Sequence, residues 1–290
     1  MKLQPLVLGV VLGVLVAFGA VFLSGGMKRG DVAPQNVVKE TRLEQVKRTG
    51  VLRCGYTVWP PFLTKDPNTG KMGGAVYELV EEMGKLLSVK IDWTAEVATG
   101  QIFSDLSLNR YDMVCSIFAA TPGRAREGDF VGPIFYSPLY MYVRKDDTRF
   151  DADFDIANRP EMKFAALDGE GSSLMASEMF PAASKVSVPQ YSTSADLYMM
   201  VANKKADAVL QDPFTFADYA AQNPGVLKAA GNRSFRVFSL GMPIPGNEPA
   251  LKAALSTTLA YLHDGGFVDR LLKKYDGDSK FIRVAKPYAP

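Results

Sequence analysis

Histidine and cysteine, two side chains that often carry nucleophilic or metal chemistry, are scarce in this sequence of 290 residues. His263 is the only histidine, and it lies in the apolar-patterned segment 251–263, where a lone histidine usually occupies a surface or a helix end. One histidine cannot build a His-rich metal site, and nothing beside it completes a histidine-based triad. We therefore predict no catalytic residue, no metal site and no cofactor.

Two cysteines, Cys54 and Cys115, are too few for a disulfide scaffold and too far apart for a zinc knuckle. Each lies in a strand-like run, 51–56 and 111–117. Two buried thiols and one disulfide are both compatible with this pattern, and the disulfide requires an oxidising compartment. Neither interpretation makes the cysteines catalytic, because no histidine lies beside them.

Polar residues follow several predicted strands, where chemistry on an α/β fold is usually found. Gly171 and Ser172 open a helix after the strand 163–167, and the free N–H groups of a helix N-terminus favour a carboxylate. An ordinary glycine turn with a serine cap fits the same residues. Asp212 directly follows a strand and precedes Pro213, which favours extended backbone. Arg124 lies in a turn after a strand, where composition alone indicates a surface arginine.

The elements that must position these residues alternate between strand-like and helix-like apolar spacing after residue 40, which is typical of an α/β chain. No repeat at solenoid periods is visible. The predicted strands are 51–56, 89–93, 112–117, 139–143, 163–167, 186–188, 208–211 and 235–240, and the predicted helices are 41–48, 74–87, 102–108, 171–179, 194–203 and 251–262.

The N-terminus carries a hydrophobic segment, 5–23, with no charged residue between Lys2 and Lys28. Its length approaches the ~20 residues that span a bilayer, and small residues allow cleavage after Gly26. We predict a signal peptide or a membrane anchor over 1–26 and a tether over 27–37, without choosing between the first two.

Charge excludes one class of partner. Lys plus Arg total 33 and Asp plus Glu 31, so the net charge is +2, and no long basic block occurs. This balance gives no electrostatic footprint for nucleic acid.

Five strings spread over the chain resemble one family. They are RTGVLRCGYTVWPPF at 48–62, NRYDMVCSIFAATPGRAREGDF at 109–130, LDGEGSS at 167–173, KKADAVLQDP at 204–213 and LAYLHDGGFVDRLLKKY at 259–275. In this order and spacing they are similar to the periplasmic solute-binding proteins of polar amino-acid ABC uptake systems, the bacterial extracellular solute-binding proteins of family 3.

The resemblance implies a two-lobed periplasmic-binding-protein fold of type II, with two α/β domains joined by a two-strand hinge and preceded by the hydrophobic helix. Lobe 1 would comprise 38–142 and 237–285, and lobe 2 would comprise 143–236. It also implies an exported, monomeric protein of the periplasm, held at the inner membrane if the first helix is not cleaved. The protein would pass a small amino-acid-like ligand to an ABC permease in that membrane.

The same resemblance assigns the ligand contacts. Arg124 in TPGRAR matches the guanidinium that holds the α-carboxylate, a task suited to its paired donors. Asp212 in ADAVLQDP matches the carboxylate that accepts the α-ammonium from the opposite lobe. Trp59 matches the aromatic wall, and Ser116 matches a polar contact. Thr121 matches the family motif or only caps the following turn.

Three departures from the family pattern indicate the kind of ligand, and in one of them Leu167 replaces a frequently polar cleft position. Tyr56 stands where binders of basic amino acids usually have an acidic residue, and Ala119 replaces the usual serine or threonine beside the ligand carboxylate. These substitutions predict a less polar pocket and a neutral ligand side chain.

Two other classes of function remain open from the sequence. A membrane-tethered sensor or partner-binding module is consistent with the long uncharged segment. A dehydratase-like enzyme on the same scaffold would need an acid in the cleft, for which Glu170 is the candidate besides Asp212.

Overall fold

The computed structural model describes residues 40–150, 153–168, 171–189, 192–231 and 234–276. The predicted leader and tether and the candidate acid Glu170 lie outside these ranges. Within them, no helix combines the length and the apolar character needed to cross a membrane.

Helices and strands alternate along the chain, as the apolar spacing predicts. The helices are α1 (Arg42–Thr49), α2 (Ala75–Leu87), α3 (Ile102–Ser107), α4 (Pro122–Ala125), α5 (Gly171–Met179), α6 (Ser194–Ala202), α7 (Pro213–Gln222), α8 (Pro249–Asp264) and α9 (Phe267–Tyr275). The strands are β1 (Val51–Tyr56), β2 (Thr64–Lys65), β3 (Met72–Gly73), β4 (Lys90–Glu96), β5 (Met113–Val114), β6 (Phe118–Ala119), β7 (Gly128–Arg144), β8 (Lys163–Leu167), β9 (Ser184–Val188), β10 (Ala208–Gln211), β11 (Leu227–Ala229) and β12 (Arg236–Pro245).

The described strands form two main sheets. A parallel sheet has the order β4-β1-β5, and a larger sheet has the order β6-β12-β7-β10-β8-β9, with β11 also paired to β7. The long antiparallel pair β7–β12 runs from Leu139↔Arg236 to Gly128↔Pro245. Strand β7 contains the predicted lobe boundary 142/143, and strand β12 contains the boundary 236/237. The α/β class and the two-lobed architecture are confirmed, while the exact lobe limits stay a prediction.

Apolar periodicity explains how α2 packs. Buried residues recur at positions i, i+3, i+4 and i+7 of this helix, which are Val76, Leu79, Val80 and Met83. The helix begins at Gly74, which has a φ of 104° and lies so close to the loop before it that a Cβ would be 2.5 Å from the carbonyl oxygen of Phe62. Only glycine fits this position, so the loop 59–63 is held tightly against the start of α2.

The predicted strand 112–117 is wrong in its extent. Only Met113–Val114 pairs with β1, and Phe118–Ala119 pairs instead with β12 of the other sheet. The chain leaves one sheet and enters the other over 115–117. An apolar run cannot reveal such a change of sheet, because both ends are buried alike.

Cys54 and Cys115 form a disulfide with a Cα–Cα distance of 5.4 Å. Both residues are fully buried. The bridge joins β1 to the residue after β5, so it fixes two neighbouring strands at the end where the predicted ligand contacts Tyr56 and Ser116 lie.

Candidate functional site

Arg124 is held beneath the turn that follows β6. Thr121 caps the single turn α4, where its hydroxyl accepts a hydrogen bond from the amide of Arg124, and Pro122 occupies the first helical position. The guanidinium donates through Nη1 to the carbonyl of Ala119 at 2.9 Å and lies 5.4 Å from the ring centroid of Phe118. The residue is only 6% exposed. Arg124 is therefore a buried cation, not the surface arginine that composition alone indicates.

The first residue of α5 lies against this cation. A Cβ at Gly171 would be 3.3 Å from Cβ of Ala119 and 4.0 Å from Nη1 of Arg124. A helix N-terminus attracts anions, and so does a guanidinium. The structure thus brings Arg124, Ala119, Thr121 and Gly171 together. For Ser172 it describes the helical backbone position only.

Asp212 caps α7 directly after β10. Its Oδ1 accepts hydrogen bonds from the amides of Phe214 at 2.8 Å and Thr215 at 2.9 Å, and its Oδ2 accepts one from the Thr215 hydroxyl at 3.0 Å. Burial raises the pKa of the Asp212 carboxyl above its ordinary value, and these hydrogen bonds oppose that shift. These hydrogen bonds fix the orientation of the carboxylate at the start of α7.

The strands that precede α5 and Asp212 are neighbours in the larger sheet. β8 and β10 are parallel neighbours with the register Phe164↔Ala208 and Ala165↔Val209. Residues that follow their carboxyl ends therefore meet at one edge of the sheet, on strands about 5 Å apart. Gly171 follows β8, and a Cβ there would be 4.0 Å from Nη1 of Arg124, whereas Asp212 follows β10. The start of α5, which lies beside the buried Arg124, and the buried Asp212 therefore follow neighbouring parallel strands.

An aromatic chain connects α7 with the loop before α2. The ring centroids of Phe214 and Phe62 are 5.3 Å apart in a T-shaped arrangement, and Trp59 lies 5.5 Å from Phe62. Phe62 is fully buried, while Trp59 and Phe214 are half-buried. Trp59 thus lies two aromatic contacts away from the helix that Asp212 caps.

Tyr56 and Ser116 lie at the ends of β1 and β5. The Tyr56 hydroxyl accepts a hydrogen bond from Lys65 Nζ at 2.9 Å. That nitrogen is 5.4 Å from the ring centroid, so it lies at the hydroxyl end and not above the ring face. The Ser116 hydroxyl donates to the carbonyl of Thr57 and accepts from its amide, both at 2.9 Å. Ser116 therefore ties β1 to the chain after β5, a role that the sequence does not predict.

The sequence also misses Phe214, Thr215 and Lys65 as parts of the site. Phe214 and Thr215 belong to α7, which the apolar spacing does not predict, and Lys65 belongs to the short hairpin β2–β3. The proline after Asp212 was the available signal for α7, because proline is common at the first helical position. Among the described residues, no group of three or more His, Cys, Asp or Glu side chains could hold a metal ion.

The fold defines a class: a two-lobed protein of mixed helices and strands. The family model described as bacterial extracellular solute-binding proteins, family 3, matches residues 52–278. The chain belongs to this family. Its members are extracytoplasmic binding proteins rather than enzymes.

Individual relatives agree with this assignment. The chain is 24% identical over 272 residues to a probable histidine-binding protein of Campylobacter jejuni. This match covers 90% of the present chain and 96% of the relative. The chain also resembles the ancestral amino acid-binding protein AncCDT-1, a precursor of cyclohexadienyl dehydratase, whose crystal structure is known. Its sequence is 26% identical, the TM-score is 0.69, and the match covers 81% of this chain and 99% of that one. The fold is also that of a cysteine-binding protein from Campylobacter jejuni, with a TM-score of 0.71, 18% identity and coverage of 84% and 100%.

Proposed function

We propose that this protein captures a zwitterionic α-amino acid between Arg124 and Asp212 and delivers it to an ABC permease in the inner membrane. The proposal is supported by two buried opposite charges: Arg124 lies beside the start of α5, and Asp212 follows β10, the neighbour of the strand that precedes α5. The guanidinium and the N-terminus of α5 would hold the α-carboxylate, and Asp212 would accept the α-ammonium. Because the two charges come from the two predicted lobes, one ligand that contacts both favours the closed form.

A neutral ligand side chain fits the surroundings of Tyr56. The ammonium of Lys65 lies at the Tyr56 hydroxyl, and a carboxylate oxygen of Glu96 is 3.6 Å from the same nitrogen. The Lys65 ammonium therefore already pairs with the Tyr56 hydroxyl and the Glu96 carboxylate, so neither is offered to a cationic ligand side chain. The half-buried rings of Trp59 and Phe214 supply apolar surface for a neutral one.

The rest of the proposal concerns the whole chain. Lobe 1 comprises 38–142 and 237–285, and lobe 2 comprises 143–236. The protein acts in the periplasm as a monomer, either freed by cleavage after Gly26 or held by the segment 5–23. It binds its ligand without transforming it, as expected of a family of binding proteins.

Calorimetric titration of the protein with each of the twenty common amino acids tests the proposal. At least one neutral amino acid should bind, and Arg124→Gln should weaken that binding by on the order of 2–5 kcal/mol, because it leaves a carboxylate without its partner. Arg126→Gln is the matched control, since Arg126 is exposed two residues away. Failure of all twenty to bind, or equal affinity for the two variants, would refute the assignment.

A further inference from the structure

Phe214 connects two features that a closing binding protein must coordinate. Its backbone amide donates to Oδ1 of Asp212 at 2.8 Å, and its ring packs on Phe62 at a centroid distance of 5.3 Å. The first contact fixes the carboxylate proposed to hold the ligand ammonium. The second lies between α7, in predicted lobe 2, and the loop 59–63, in predicted lobe 1.

Phe62 is a rigid docking point for that ring. Its carbonyl accepts a hydrogen bond from the amide of Val76 at 2.7 Å, which fixes it to the first turn of α2. Its ring also packs on Phe135 at 5.4 Å and is fully buried. A ring that approaches Phe62 therefore meets a fixed surface and not a mobile loop.

Phe216, two residues further along α7, has the opposite surroundings. Its ring stacks on Tyr142 of β7 at 3.8 Å and lies 5.8 Å from Tyr198 of α6. Tyr142 lies at the predicted 142/143 lobe boundary and pairs with Val209 of β10, and Tyr198 lies in predicted lobe 2, so neither contact involves the loop 59–63. One helix thus carries two phenylalanines: Phe214 packs on the loop 59–63 of predicted lobe 1, and Phe216 packs at the lobe boundary and on predicted lobe 2.

We propose that Phe214 is a positioning residue that couples lobe closure to the placement of Asp212. This inference rests on the proposed function. When the lobes separate, the T-shaped contact with Phe62 is lost and the apolar surface of both rings meets water. Closure restores the contact on the same residue whose amide orients the ligand-binding carboxylate. The ring contact therefore shifts the equilibrium toward the closed form before any ligand contributes.

The test measures the distance between the lobes. Leu108 and Leu174 are exposed, one in each predicted lobe, and the two native cysteines are bonded to each other, so Leu108→Cys and Leu174→Cys can carry spin labels. Pulsed electron spin resonance on this labelled protein is compared with Phe214→Ala and Phe216→Ala versions. An equimolar mixture of the twenty common L-amino acids is the probe.

Phe214→Ala should lengthen the mean distance without amino acids and raise the mixture concentration needed for half-closure about tenfold, the loss expected for one aromatic contact. Phe214→Tyr should restore both values, because it keeps the ring. Phe216→Ala should lower the unfolding temperature and leave the distance unchanged. Identical distance distributions for wild type and Phe214→Ala, with and without the mixture, would overturn the proposal.

Failure of the proposed function gives a different result. If the mixture does not close even the wild type, the amino-acid assignment falls. The comparison without amino acids then decides alone: longer distances in Phe214→Ala support the coupling role, and unchanged distances overturn it.

Discussion

Replacing Asp212 with asparagine should separate ligand binding from fold stability. The Oδ1 of Asp212 accepts two backbone hydrogen bonds at the start of α7, and the amide oxygen of asparagine can accept both. Asparagine is as good an N-cap as aspartate, so α7 should keep its cap. The variant removes a negative charge whose burial is unfavourable, as the raised pKa of Asp212 indicates. Its unfolding temperature at neutral pH should therefore equal or exceed that of the wild type.

Binding should respond in the opposite direction. A ligand ammonium would lose its only proposed anionic partner, at a cost of about 2–5 kcal/mol, which corresponds to a roughly 30- to 4,000-fold increase in Kd. Calorimetry with the tightest-binding amino acid measures this change, and thermal unfolding followed by circular dichroism measures stability.

Thr41→Ala is the matched control, because it removes the N-cap of α1, an exposed helix start. It should cost about 1 kcal/mol of stability and leave Kd unchanged. Undiminished binding by Asp212→Asn would refute the assignment of Asp212 to the ammonium. Asp212→Ala, which removes the N-cap of α7, is the reference for loss of the cap. If Asp212→Asn unfolds at a temperature as low as that of Asp212→Ala, asparagine does not preserve the cap.

Three further predictions concern Arg124, the protonation of Asp212 and the disulfide. Arg124→Lys should weaken binding at least tenfold in calorimetry, because one ammonium cannot reproduce the paired donors of a guanidinium. Equal affinity would contradict the proposed two-donor contact with the ligand carboxylate. Burial raises the pKa of Asp212 above 3.8, so ligand-free stability should fall, and amino-acid affinity should rise, as pH increases from that value through the folded-state pKa. Unfolding and binding measured across this pH range should show no such pH dependence in Asp212→Asn. If the pH dependence persists in that variant, another titrating group causes it. Replacing Cys54 and Cys115 together by alanine removes a cross-link between residues 61 positions apart. The greater entropy of the unfolded chain should then lower the free energy of unfolding by about 4 kcal/mol. The unfolding temperature should fall by on the order of 10 °C, and an unchanged value would show that the bridge contributes little.

Regular apolar spacing explains which elements the sequence predicts well. In α2 the buried residues form one stripe at helical spacing, so its pattern identifies the helix directly. In α7 the aromatic residues point to different neighbours: Phe214 packs on Phe62, Phe216 on Tyr142 and Tyr219 on Tyr198. No single stripe results, and the spacing does not predict this helix.

The candidate site is predictable only where chemistry is local. Asp212 is recognisable because it stands between a strand and a proline, and the helix start at Gly171 is recognisable from its glycines. The approach of Gly171 to Arg124 depends on how distant segments pack, which no local pattern encodes. The same holds for the pairing of Cys54 with Cys115, since only the adjacency of β1 and β5 brings the two thiols together.

A crystal structure of the protein grown with its tightest-binding amino acid would test the central claim most directly. The ligand carboxylate should accept hydrogen bonds from the guanidinium of Arg124, and its ammonium should donate to Oδ2 of Asp212, with both distances near 2.8 Å. A ligand bound elsewhere, or one whose ammonium faces Arg124, would contradict the account.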